Sequence, residues 1–123
     1  MGSPSIPYTE RVHVTIDQKG SIFLNAKAHS MMGRPRAVYL YFNRPKNMII
    51  LEPTDSRTAD NAFQVRAFSG SGWKIYANPF CTHFGMRFDT TEKFIAPYVD
   101  AAGRMYLKLW ETTNVYRGPR KRK

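Results

Sequence analysis

Val12, Val14 and Ile16 alternate with Arg11, His13 and Thr15, and Phe63, Val65 and Ala67 alternate with Gln64 and Arg66. A period of two puts the apolar set on one face of a strand, so residues 11–16 and 62–68 are predicted as half-buried strands. Each is followed by a polar turn ending in glycine, Asp17-Gln18-Lys19-Gly20 and Ser69-Gly70-Ser71-Gly72. A second apolar run comes next, Ile22-Phe23-Leu24 and Ile75-Tyr76, then a short helical stretch that stops at Gly33 or Gly85. The expected helices are Ala26–Met32 and Pro79–Phe84. Asn25 and Asn78 are the expected N-caps, since a side-chain oxygen can accept from an unsatisfied helical N–H, and Pro79 suits a first helical position. Glycine ends such helices because it adopts the left-handed conformation without a Cβ clash. The runs 37–51 ("AVYLYFNRPKNMIIL") and 93–107 ("KFIAPYVDAAGRMYL") each read apolar, polar turn, apolar, the pattern of a β-hairpin.

The same order of elements therefore occurs twice. Gly20 and Gly72 are 52 positions apart, as are Gly33 and Gly85, and the downstream hairpins align at an offset of 56. A unit of this size cannot bury its apolar face alone, so two copies should share one core. The expected organisation is a flexible leader (1–10), one domain over 11–110 made of two repeats (11–54 and 63–110, linker 55–62), and a basic C-terminal tail (111–123). The fold class is α+β, mostly β, built from two ββαββ repeats.

Composition narrows the function. Nineteen Lys and Arg against nine Asp and Glu give a net charge of +10 over 123 residues. Arg117, Arg120, Lys121, Arg122 and Lys123 carry five of those charges, leaving +5 for residues 1–116. A basic body with a basic tail points to a polyanionic partner, with nucleic acid ahead of a membrane because no cationic amphipathic helix is visible. One cysteine, Cys81, excludes an intramolecular disulfide. The leader lacks the charged and apolar regions of a signal peptide, and the expected location is cytoplasmic.

The stretch "IDQKGSIFLNAKAHSMMG" (16–33) resembles the motif of the AbrB-like swapped-hairpin superfamily: an apolar residue, Asp, two variable positions, Gly, then an apolar strand, a short helix and a closing glycine. Two units in one chain resemble its tandem, MraZ-like members. The resemblance implies one swapped-hairpin β-barrel and a DNA-binding transcription regulator. The family commonly places Arg directly after the turn glycine, where it supports DNA contact; Ser21 and Trp73 stand there in this chain. Any nucleic-acid contact must then use other charges.

The candidate nucleic-acid-binding residues are Arg11, Lys19, Lys27, Arg34 and Arg36 in the first half, Lys74 and Arg87 in the second, and Arg117, Arg120, Lys121, Arg122 and Lys123 in the tail. Such groups neutralise phosphates and give salt-sensitive affinity. Six of the seven body residues, Lys19, Lys27, Arg34, Arg36, Lys74 and Arg87, lie at turns and helix ends and are expected to form one strip. No cofactor, metal site or catalytic residue is expected: Cys81 and His83 sit at i and i+2, which do not share a helix face, and no second Cys/His cluster completes four ligands. Tyr39 and Tyr41 on one strand face, with Tyr76, Tyr98, Tyr106 and Trp110, could stack on unpaired bases, cover a small barrel with their hydroxyls in water, or be buried between copies of a homo-oligomer. The alternative function is a non-catalytic interaction or assembly module on the same fold.

Overall fold

The computed structural model describes residues 11–56 and 59–115. Along them run β1 (Val14–Ile16), β2 (Ser21–Leu24), α1 (Ala26–Met31), β3 (Ala37–Asn43), β4 (Met48–Thr54), β5 (Ala62–Phe68), β6 (Gly72–Tyr76), α2 (Asn78–His83), β7 (Glu92–Phe94), β8 (Tyr98–Val99), β9 (Met105–Lys108) and β10 (Thr112–Asn114). All pair antiparallel in one sheet of order β10-β7-β1-β2-β6-β5-β3-β4-β9-β8. The fold is mostly β with two short helices. Among the described residues the sheet has two ends, β10 and β8, so it forms a curled half-barrel where a closed barrel was expected.

Alternation explains the curl. Val14 and Ile16 of β1, Ile22 and Leu24 of β2, Val38 and Leu40 of β3, Ile49 and Leu51 of β4, Ile75 of β6, and Met105 and Leu107 of β9 all enter one buried cluster. Strands from across the sheet reach one core only if the sheet wraps around it. Each such side chain contributes about 1.5–3 kcal/mol of burial. The helices add Ala28, Phe80 and Cys81 to the same cluster.

The two halves of the chain interleave. β2 pairs with β6, β3 with β5, β1 with β7 and β4 with β9. The β2–β6 register has a symmetry of its own: a shift of 52 turns the pair Ile22↔Ile75 into Lys74↔Phe23, which is also paired. The helix-end hydrogen bonds recur at that shift too. Gly33 N–H donates to Ser30 and Arg34 N–H to His29, as Gly85 N–H donates to Thr82 and Met86 N–H to Cys81. Gly33 and Gly85 have φ of 86° and 71°, the left-handed helix end that glycine permits.

Several details differ from the sequence expectation. The N-cap of α2 is Ala77, without a side-chain cap, and Asn78 lies inside the helix. Its amide instead donates to the Lys19 carbonyl at 3.0 Å, tying α2 to the β1–β2 turn. The expected 93–99 strand is split: β7 joins β1 and β10, while β8 joins β9. Pro97 lies in the break, where a residue without an N–H cannot continue a ladder. The tail does not begin at 111, because Thr112–Asn114 pair with β7, as β-branched threonines favour. Ala67, expected on the inner face of β5, is exposed near the end of that strand.

Candidate nucleic-acid interface

Cross-strand partners in an antiparallel sheet project from the same face. The registers place Lys93 beside Thr15, Thr15 beside Phe23, Phe23 beside Lys74, and Lys74 beside Arg66. These five residues on β7, β1, β2, β6 and β5 form a row spanning roughly 19 Å at ~4.8 Å per strand. Their neighbours in sequence, Ile16, Ile22, Ile75 and Val65, are buried, so the row lies on the outer face. The other outward positions of these strands include Gln64, Phe68, Gly72 and Tyr76, and none is a carboxylate. Among the described residues the ion pairs within 4.0 Å are Asp100–Arg104 and Lys108–Glu111, neither of them in the row.

Aromatic rings stand between the charges. The Lys74 ammonium lies 5.6 Å from the Phe23 ring centroid and 5.3 Å from that of Phe68. The two rings pack at 5.0 Å with a 57° tilt. Phe68 is 44% and Tyr76 58% exposed. A concavity of about 400 Å³ opens beside Phe23 and Phe68, with His13, Thr15, Ser69 and Ser71 on its wall. A second, of about 410 Å³, lies on the other side of Lys74 against Gln64, Arg66 and Tyr76. Burial, then the nearby Lys93 and Arg11 charges, hold the His13 pKa below the ordinary value, so its ring is neutral at pH 7.

The sequence-based candidates within the described residues sit on several different elements. Lys74 alone of them belongs to the outer row. Lys19 lies in the β1–β2 turn against α2. Arg11 offers its carbonyl to the Asn25 amide at 2.7 Å, and Lys27 is in the first turn of α1. Arg34 and Arg36 are exposed between α1 and β3. Arg87 faces a different concavity with Arg44, whose guanidinium lies 5.4 Å from the Phe42 centroid and 5.9 Å from that of Phe84. Arg117, Arg120, Lys121, Arg122 and Lys123 lie outside the described residues, as does the leader 1–10.

The two positions that replace the resemblance's arginines are not phosphate-gripping surface. Ser21 is buried, and Trp73 stacks on His29 with centroids 4.0 Å apart at 26°. His29 is itself buried, with its Nε2 2.9 Å from the Pro35 carbonyl; that geometry makes Nε2–H the donor. Cys81 is buried and its thiol is pushed up to about 11, by burial first and then by Asp17, so it stays protonated at neutral pH. Among the described residues no three His, Cys, Asp or Glu side chains converge as a metal site.

Lys93, Arg66, Phe23 and Phe68 were missed as site residues. The signal was present: Phe23 and Phe68 occupy the outward parity of otherwise well-alternating strands, where a polar residue is the ordinary choice. The registers that join them across five strands could not be read from one chain. Compared with known proteins, the sequence matches no family model, no curated protein and no solved structure. What the fold and this face define is a curled antiparallel β protein with one basic, aromatic sheet surface.

Proposed function

We propose that the chain is a nucleic-acid-binding protein, DNA before RNA, and a transcription regulator of the AbrB/MraZ-like swapped-hairpin type. The β2–β6 register, the paired helix ends and the interleaved strands support two ββαββ units sharing one core. The observation that carries the binding reading is the outer row, in which Lys93, Lys74 and Arg66 share a sheet face whose outward strand positions hold no carboxylate. Clustered cations attract phosphates where scattered ones remain solvated surface.

The test is a DNA titration at two salt concentrations with Lys93→Glu, Lys74→Glu and Arg66→Glu combined. The expected result is weaker binding to any sequence and a salt slope lowered by about three, roughly one per lost phosphate contact. Arg44→Glu, Lys46→Glu and Arg87→Glu combined serve as a control of the same charge change at other concavities and should cost less. Equal losses in the two variants would make the affinity a matter of net charge alone.

A second reading, an assembly module, draws on a different place. Ile95, Tyr98 and Trp110 are each at least 60% exposed. Tyr98 also lines a concavity of about 510 Å³ with Met48 and Pro97 beside the β8 edge. Association through that edge would appear as a concentration-dependent mass in sedimentation and be lost with Tyr98→Lys.

A further inference from the structure

We propose that the outer sheet face selects single-stranded DNA, stacking one base on Phe68 and another on Tyr76 while Lys74 and Arg66 hold the phosphates between them. This rests on the nucleic-acid reading above and adds to it the strandedness of the partner. The two rings are outward-facing and lie on opposite sides of Lys74. Their cross-strand neighbours are small: Gly72 beside Phe68 and Ser21 beside Tyr76. Both rings keep a large share of their surface open to solvent. Gly72 and Tyr76 are four residues apart on β6, so the two stacking places are separated by roughly 14 Å along the strand at ~3.4 Å per residue.

The chemistry favours unpaired bases. In a duplex the base faces are covered by their neighbours, and only base edges reach a protein through the grooves. Rings on a sheet can contact base faces only when the bases are unstacked, and every base offers a π-face to such a ring. Beside each ring is one of the two concavities. Ser69 and Ser71 provide polar atoms for a base edge near Phe68, and Gln64 does so near Tyr76. Phe23 packs against the Phe68 ring at 5.0 Å with a 57° tilt, so the platform is held before a base arrives. Sheet and charge together match a negative, flat-ringed, flexible ligand.

The test uses the full chain with dT12, the duplex dA12·dT12 and U12 in the same buffer. The parent should bind dT12 at least tenfold more tightly than the duplex and more tightly than U12. Because both rings are substantially exposed, Phe68→Ala and Tyr76→Ala should leave the fold intact, as circular dichroism checks. Each should lower dT12 affinity about tenfold, in line with ~1–3 kcal/mol per stacked base, while leaving the salt slope and the duplex affinity unchanged. Phe68→Trp should retain affinity and show fluorescence quenching on dT12. Equal affinity for strand and duplex, preference for U12, or alanine variants that bind dT12 like the parent would overturn the proposal. If duplex binding still disappears with the charge-reversed row, the nucleic-acid reading survives that failure; if no DNA binds at any salt, both fall.

Discussion

His29 shows how one residue couples packing to pH. Burial lowers its pKa, the Pro35 carbonyl partly opposes that by raising it, and Arg34 adds to the lowering. The folded protein therefore prefers the neutral ring, stacked on Trp73. An unfolded chain, with its histidine near 6.5, takes up a proton more readily. Stability from this residue is complete above that value and is lost as pH falls through it toward the lowered folded pKa. His13 is shifted in the same direction and adds to the effect. Thermal melts between pH 8 and pH 5 should show a declining Tm, and His29→Phe should flatten that decline even while lowering stability overall. An unchanged slope in His29→Phe would assign the pH dependence elsewhere. Cys81 gives a simpler expectation: buried and with its pKa pushed up to about 11, it should react with a thiol reagent only when denaturant is added.

At the scale of elements, the junction between β1 and α1 depends on Asn25. Its Oδ1 accepts from Ala28 N–H at 2.9 Å and His13 N–H at 3.1 Å, while its Nδ2 donates to the Arg11 carbonyl. One buried side chain thus caps the helix and fixes the start of the first strand. Asn25→Ala should cost about 2–4 kcal/mol in a denaturant titration, combining a lost cap with stranded polar groups. Asn78→Ala, which loses one bond to the Lys19 carbonyl, should cost about 1 kcal/mol. Gly20 holds the other junction: its φ is +78°, and a Cβ there would lie 2.9 Å from the Asn78 backbone. Gly20→Ala should therefore destabilise by more than the ordinary ~1 kcal/mol of a glycine-to-alanine change in the left-handed region.

Much of this level was legible in the sequence. Alternation marked β1 and β5, apolar runs after glycine turns marked β2 and β6, a hairpin pattern marked β3 and β4, and Asn25, Gly33 and Gly85 stand where cap chemistry put them. Asn78 was misread because Asn-Pro resembles a cap and first helical position; the helix begins one residue earlier, and the asparagine serves a turn 59 positions away. The second hairpin stands as β8 paired with β9, but an apolar run does not reveal that Pro97 separates it from β7, which joins β1 and β10.

The whole molecule adds what neither residues nor elements contain. A half-barrel with interleaved halves sets β7, β1, β2, β6 and β5 side by side, although they come from residues 14 to 94. Of the candidate charges among the described residues, Lys74 joins the outer row, where register brings it together with Lys93 and Arg66. Such long-range pairing cannot be inferred from one chain, which is why the basic character was legible and its surface was not. The most direct measurement is a backbone-amide NMR titration of the full chain with dT12. Binding on the outer face predicts the largest shifts at Thr15, Phe23, Arg66, Phe68, Lys74 and Lys93, with little change at Arg44 and Arg87, which line a different concavity. Shifts centred on those two arginines, with the row unperturbed, would contradict it.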